Sequence, residues 1–279
     1  MTTTPGHAAR MSRVRISAIG ADGVTERDDI VAGEEPLQVL AAGPGQDPVE
    51  VAVTMRTPGN EDELAVGFLV SEGLIRVADV VGVTYADPAT TARPDDSVTV
   101  NLANPLDVGS VAERRTVATA SCGICGKASI DDVVRRCDPL PDGPIVSAAT
   151  ILDLPDALRA AQETFEATGG LHAAGLFNAD GSLIVLREDV GRHNALDKVI
   201  GERARAGALP LHGTILLLSG RVSFELVQKA AAAGIPILAA VGAPTDLAIA
   251  TADGVGMTVI GFVRGERANV YTRPERVAM

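Results

Sequence analysis

Tryptophan is absent, and aromatic residues make up only 3% of the 279-residue chain. That removes the stacking platforms by which proteins grip single-stranded nucleic acid. Positive charge is also short. Lys and Arg number 24 against 36 Asp and Glu, a net charge of -12, so general attraction to a phosphate backbone or an anionic membrane is not expected. Any anionic ligand must be held by a local cluster. No apolar run approaches the roughly 20 residues of a membrane span, and the first turns of the chain hold no apolar signal-peptide core. The expectation is a soluble cytoplasmic protein with neither nucleic acid nor membrane among its partners. Cysteine is scarce too: 3 residues, an odd count that builds no disulfide framework and points to chemistry or to burial.

What is present is ample apolar material, 46% hydrophobic with 22% charged, enough for one large or two modest domains. The 29 Gly and 16 Pro supply turns without reaching low complexity. The first half reads as short strands at Arg13 to Ile19, Pro48 to Met55, Val81 to Tyr85 and Ser97 to Leu102, with a turn at Asp22-Gly23. One helix interrupts them. Asn60 followed by Glu63 is a capping signal, Leu64, Phe68 and Leu74 or Ile75 mark an apolar side, and Gly73 is a stop.

A Pro-rich stretch from Asp138 to Pro144 divides the chain. Beyond it the pattern predicts a helix from Ser147 or Thr150 to Ala167, a hairpin of Leu171–Phe177 and Leu183–Leu186, and a helix from Asn194 to Arg205. Apolar strands at Thr214–Leu218, Ile235–Val241 and Met257–Val263 then alternate with helices at Ser223–Ala233 and Thr245–Ala252. Nearly continuous apolar strands are those of a sheet covered on both faces. The fold class is therefore α/β with an α+β N-terminal part. Residues 1–12 read as a disordered tail, 13–143 as a smaller strand-rich domain, and 144–273 as the ligand-binding domain.

Cys122 and Cys125 stand in Ser121-Cys-Gly-Ile-Cys-Gly126, each ahead of a glycine, which predicts an accessible loop. Three readings stay open. A thiolate stabilised by Lys127, loop amides and the start of a helix at Ser129 is a nucleophile able to accept sulfur. A zinc site needs about four ligands, and there is no second C-x-x-C and no close His pair. The third reading assigns the pair no role. Cys137 falls on the apolar face of the helix from Ser129 and reads as core.

In an open α/β sheet, ligands bind beyond the carboxyl ends of the parallel strands. Here those ends are Ser219-Gly220-Arg221, Gly242-Ala243-Pro244-Thr245-Asp246 and Arg264-Gly265-Glu266-Arg267. Glycines, hydroxyls and arginines on one edge suit phosphate oxygens; equally, the arginines can form surface ion pairs, one with Glu266. His193, flanked by acids and an Arg, fits ligand orientation or proton movement, and equally a structural cap. His172 reads as a core or interface residue.

Five segments, Ser121–Gly126, Thr168–Ala174, Glu188–Lys198, Ser219–Glu225 and Gly261–Arg267, together resemble the formate dehydrogenase accessory family, FdhD. The resemblance covers roughly residues 35 to 273. It implies a sulfur carrier, a sulfurtransferase with a cysteine persulfide intermediate. Sulfur would come from a cysteine desulfurase and pass to the bis-molybdopterin guanine dinucleotide cofactor (molybdenum form) of the formate dehydrogenase apoprotein. It further implies a homodimer, a C-terminal domain with a cytidine deaminase-like mixed sheet and flanking helices, and no catalytic metal. Cys122 matches the persulfide-bearing position and Cys125 its companion. Phe262, Val263, Arg264, Gly265, Glu266 and Arg267 match the stretch that meets the guanine nucleotide, for which GDP is a partial mimic. Ser219, Gly220, Arg221, Gly242, Thr245 and His193 extend that pocket by strand-end geometry. Nucleoside deaminase chemistry is disfavoured, because His193 is followed by Asn194-Ala195 and no P-C-x-x-C opens the later helix. The alternative of another class is a non-catalytic chaperone of cofactor or apoenzyme whose cysteines hold zinc.

Overall fold

The computed structural model describes residues 9–109, 111 and 139–278. Cys122, Cys125, Lys127, Cys137 and the helix expected from Ser129 lie outside the described residues. Strands β1 (Met11–Gly20) and β2 (Gly23–Ala32) form a two-stranded antiparallel ribbon. Gly23, at φ 117°, supplies the backbone conformation that its turn requires. β1 takes in the last two residues of the segment expected to be a tail.

A four-stranded sheet follows: β3 (Glu35–Ala42), β4 (Val49–Arg56), β5 (Val80–Tyr85) and β6 (Ser97–Leu102), in the order β4-β3-β6-β5. β3 runs parallel to β6, and the outer pairs are antiparallel. Helix α1 (Glu61–Ser71) lies where the sequence predicts it, but two local expectations fail. Asn60 is the N-cap without donating or accepting a cap bond through its side chain; the Asn60 Oδ1 accepts instead from Arg10 Nη2 at 2.6 Å. The helix also has no single apolar side. Leu64, Ala65, Val66, Leu69 and Val70 are all buried because the sheet covers one flank and a second-half helix the other.

That partner is α4 (Arg192–Arg205). The two helices approach through glycines: a Cβ on Gly67 would fall 1.8 Å from the Asp197 carbonyl oxygen, and one on Gly201 1.8 Å from that of Glu63. Polar links flank the crossing. The Arg187 guanidinium donates twice to the Glu63 carboxylate, and Lys229 Nζ donates to both Asp197 oxygens and to Ser71 Oγ. The main hydrophobic core accordingly draws residues from both sides of the Pro-rich stretch, from Leu37 and Val98 to Leu196 and Leu226.

The second half contains β7 (Val146–Ser147), α2 (Ala148–Ala160), α3 (Glu163–Thr168), β8 (His172–Asn178), β9 (Leu183–Asp189), α4, β10 (Thr214–Leu218), α5 (Phe224–Ala232), β11 (Ile237–Ala240), α6 (Asp246–Gly254), β12 (Thr258–Arg264), β13 (Arg267–Val270) and β14 (Val277–Ala278). Six strands make one mixed sheet, β13-β12-β11-β10-β8-β9, in which β10, β11 and β12 are parallel. Both faces are covered, as the continuous apolar strands predict. Leu216 and Leu218 point into the main core, and Ile215 and Leu217 into a second core with Ile151, Leu154 and Leu158 of α2. The single helix expected to Ala167 is two, α2 and α3. Gln162 leaves the helical backbone, and the buried Glu188 carboxylate accepts from the amides of Thr164 and Phe165 at 3.0 and 2.7 Å, so a residue from β9 caps a new helix start. No helix among the described residues is long and apolar enough to cross a membrane.

Candidate functional site

The parallel strands end together, and their loops are knitted by backbone hydrogen bonds. Gly242 N donates to the Gly220 oxygen at 3.1 Å, Val222 N to the Ala243 oxygen, Thr245 N to the Val222 oxygen, and Phe262 N to the Gly242 oxygen at 3.0 Å. This brings Ser219–Arg221, Gly242–Thr245 and Phe262 onto one edge, as strand order predicts. Gly242 is required by packing, since a Cβ there would meet the Gly220 oxygen at 2.6 Å and the Arg221 nitrogen at 2.9 Å, both backbone atoms. Gly242→Ala is expected to push the two loops apart, lowering the melting temperature. Gly220→Ala, whose nearest neighbour is His172 Nδ1 at 3.4 Å, should leave stability unchanged. Equal melting temperatures for the two variants, measured by calorimetry, would contradict this packing account.

β12 does not run straight into its hairpin. Its register against β13 shifts between Gly261 and Arg264, and Phe262 takes φ 55°, a left-handed conformation unusual for a bulky residue. Strain of this kind costs on the order of 1–3 kcal/mol and persists where the surroundings impose it. Here the bulge turns Arg264 back over the strand ends. Its Nε donates to the Val241 oxygen at 3.1 Å, and its guanidinium lies 5.6 Å from the centre of the Phe262 ring. Val263 is buried in the second core, so its place is structural. Gly265, Glu266 and Arg267 form the exposed tip, where Arg267 stands across from Arg264. The surface pair with Glu266 that the sequence allowed is not formed by either arginine among the described residues. Thr245 spends its hydroxyl on the amide of Ala248 at 3.3 Å, capping α6, and Ser219 accepts from the Ala173 amide at 2.9 Å.

The remaining wall comes from the antiparallel neighbours. β8 begins and β9 ends at this same edge, so His172, Gly191, Arg192 and His193 join it. His172 is only half-buried and faces Gly220; within this chain it belongs to the wall of the cleft and not to a core. Burial, then the charge of Arg192, hold its imidazole below the usual histidine range. His193 turns away from the acids beside it in the chain. Its Nε2 meets Glu225 Oε2 at 2.9 Å and Ser223 Oγ at 3.4 Å, and the bond to His193 holds the Glu225 carboxyl below its ordinary range.

Sequence reasoning missed the layer beneath. Asp189 is fully buried and accepts from the amides of Thr57 and Gly191, from Asn194 Nδ2 and from Lys198 Nζ, at 3.1, 2.8, 3.0 and 2.8 Å. Lys198, also fully buried, donates to the Thr57 oxygen at 2.9 Å. The available signal was the dense run of charge from Arg187 to Lys198 at a strand–helix junction, where such residues are rarely buried unless paired. Among the described residues no group of His, Cys, Asp and Glu is arranged to hold a metal ion.

Residues 32–278 match the model of the FdhD/NarQ family. The chain is 46% identical to a protein named sulfur carrier protein FdhD from Mycobacterium tuberculosis, covering 98% of this chain and 99% of that one. It is equally 46% identical to a protein of the same name from Streptomyces coelicolor, over 96% of this chain and 95% of the relative. The structure superimposes with a TM-score of 0.75 on the crystal structure of a candidate formate dehydrogenase accessory protein from Desulfotalea psychrophila, at 25% identity, covering 97% of this chain and 100% of that chain. With a family match that starts at β2 and ends at β14, and relatives alike across nearly their whole length, this chain belongs to the FdhD/NarQ family.

Proposed function

We propose that this protein is a sulfur carrier for formate dehydrogenase, a sulfurtransferase that takes sulfur from a cysteine desulfurase as a persulfide on Cys122, with Cys125 as companion. The acceptor is the bis-molybdopterin guanine dinucleotide cofactor, which is the substrate. The observation that carries the reading is the near full-length similarity to proteins named sulfur carriers, in a chain whose only closely spaced cysteines each precede a glycine. A thiolate is the form that attacks a sulfur donor, and Lys127 follows Cys125 two residues on in the sequence. Production in cells that lack their own copy should restore formate dehydrogenase activity; a well-expressed protein that restores none would contradict the assignment.

The strand-end cleft is the part that receives the guanine nucleotide arm. Its fit rests on the arginines Arg192, Arg221, Arg264 and Arg267 gathered on one edge of a chain of net charge -12, on the close approach at Gly220 and Gly242, and on the Phe262 ring. The mixed sheet with helices on both faces supports a cytidine deaminase-like arrangement for residues 144–273, after a strand-rich domain of residues 13–143. The working form is a cytoplasmic homodimer. GDP is the simplest probe of the cleft. Replacing Arg264 and Arg267 by Ala should weaken GDP binding by an order of magnitude or more, on the scale of roughly 1.5–3 kcal/mol for a bond to a charged group, while sulfur loading survives. Unchanged affinity by calorimetry would place the nucleotide elsewhere.

A further inference from the structure

We infer that Arg192, a residue outside the strand-end loops, binds a phosphate of the nucleotide and is held in place for it by Asp189 and Lys198. The inference rests on the nucleotide reading of the cleft and adds to it the group that engages the anion. Arg192 Nε is shut off from solvent and has no hydrogen-bond partner. No carboxylate among the described residues lies within ion-pair distance of this guanidinium. An unsatisfied buried donor is destabilising, and folded proteins hold few of them. Something must keep this one in position, and something must repay the cost.

The clamp beneath supplies the first. Asp189 binds the Gly191 amide and Asn194 Nδ2 from one carboxylate oxygen, and the Thr57 amide and Lys198 Nζ from the other. Lys198 returns to the Thr57 oxygen, Thr57 Oγ1 accepts from the Val190 amide at 3.1 Å, and Asn194 Nδ2 also reaches the Met55 oxygen at 2.8 Å. The turn on either side of Arg192 is thus tied to the end of β4 by main-chain and side-chain bonds. The backbone that carries Arg192 is thereby fixed, with the Nε of its side chain shut off from solvent.

The surroundings indicate the ligand. The Gly220 loop faces the side chain: a Cβ at Gly220 would lie 3.9 Å from Arg192 Cδ and 3.4 Å from His172 Nδ1. His172, whose affinity for a proton is reduced by burial and by Arg192, stands beside the guanidinium as a neutral partner able to donate one hydrogen bond. Of the acids at this edge, Asp189 is taken up by the clamp and Glu225 is engaged by His193. An anion here meets a planar fork of donors, a neutral imidazole and a glycine without a side chain in the way, the setting in which guanidinium binds phosphate oxygens in pairs.

The test is calorimetric titration of the full-length protein and its Arg192→Met variant with GDP and with guanosine, beside their melting temperatures. The variant should bind GDP at least tenfold more weakly, bind guanosine as the parent does, and melt no lower, because removing an unpaired donor takes away no contact. Arg192→Lys, which keeps charge but not the fork, should fall between. Unchanged GDP affinity in Arg192→Met, or equal loss for GDP and guanosine, overturns the assignment while leaving the cleft as the nucleotide site. Failure of the parent protein to bind GDP overturns both.

Discussion

Cys122→Ala is expected to abolish activation of formate dehydrogenase, a loss of at least two orders of magnitude in the enzyme's activity when the variant is its only sulfur source. Alanine has no sulfur on which a persulfide can form, and Cys125 is only the companion of Cys122 in this reading. A cysteine set in a glycine-flanked loop, as Gly123 and Gly126 predict, contributes little to a core, so the variant should express and melt like the parent. Its GDP affinity should also be unchanged, since Arg192, Arg264 and the Gly220 and Gly242 loops form the cleft without it. Full activation by Cys122→Ala would remove the residue from the sulfur route. Loss of both activation and nucleotide binding would mean that carrier and cleft are not separable functions.

The largest structural effect is expected at the crossing of α1 and α4. Gly67→Val places three carbons where the first already lies 1.8 Å from the Asp197 carbonyl oxygen, a backbone atom in the middle of a helix. Overpacking a core costs about 1–3 kcal/mol and sometimes more, and here the helices cannot separate without also stretching the Lys229–Asp197–Ser71 and Arg187–Glu63 links. The loss should be at least about 3 kcal/mol, a drop in Tm on the order of 10 °C for a chain of this size. A thermal melt within about 2 °C of the parent would contradict the crossing. Because β4 and the Thr57 turn are held against α4 near the same place, this variant should weaken GDP binding too.

The second half of the fold was legible because its strands are doubly covered. A run such as Thr214–Leu218 has no polar residue beyond its first, and no environment other than a sandwiched strand or a buried helix suits it; the short length and the glycines beyond it decide for the strand. β2 was not legible for the opposite reason. Glu26, Arg27, Asp28 and Asp29 give it no apolar alternation, and it is held by pairing with β1 on an exposed ribbon. β3 was not among the predicted strands although Leu37, Val39 and Ala41 alternate inward; Pro36 near its start is a residue that weakens a strand signal. The even burial of α1 came from a tertiary partner far along the chain, the α4 glycine at position 201 against Gly67, which no local pattern carries.

The site divides in the same way. The strand-end loops were legible from topology, because parallel strands must finish on one edge. The bulge at Phe262 was not, since the run Met257–Val263 looks regular and the shift depends on its pairing with β13. His172 sat in an apolar strand, and only the antiparallel pairing of β8 with β10 shows that this strand begins where the others end. Asp189 and Lys198 were visible as letters of a charged segment, but their burial follows from the approach of Thr57, 132 residues earlier than Asp189 in the chain.

The most direct test of the account is mass spectrometry of the intact protein after incubation with a cysteine desulfurase and cysteine, with peptide mapping and a parallel metal determination. Sulfur should be added on Cys122, removed by a thiol reductant and absent in Cys122→Ala, in a protein that carries no stoichiometric zinc. Zinc at one equivalent per chain with no added sulfur would contradict it and would make the cysteines a metal site of a cofactor or apoenzyme chaperone.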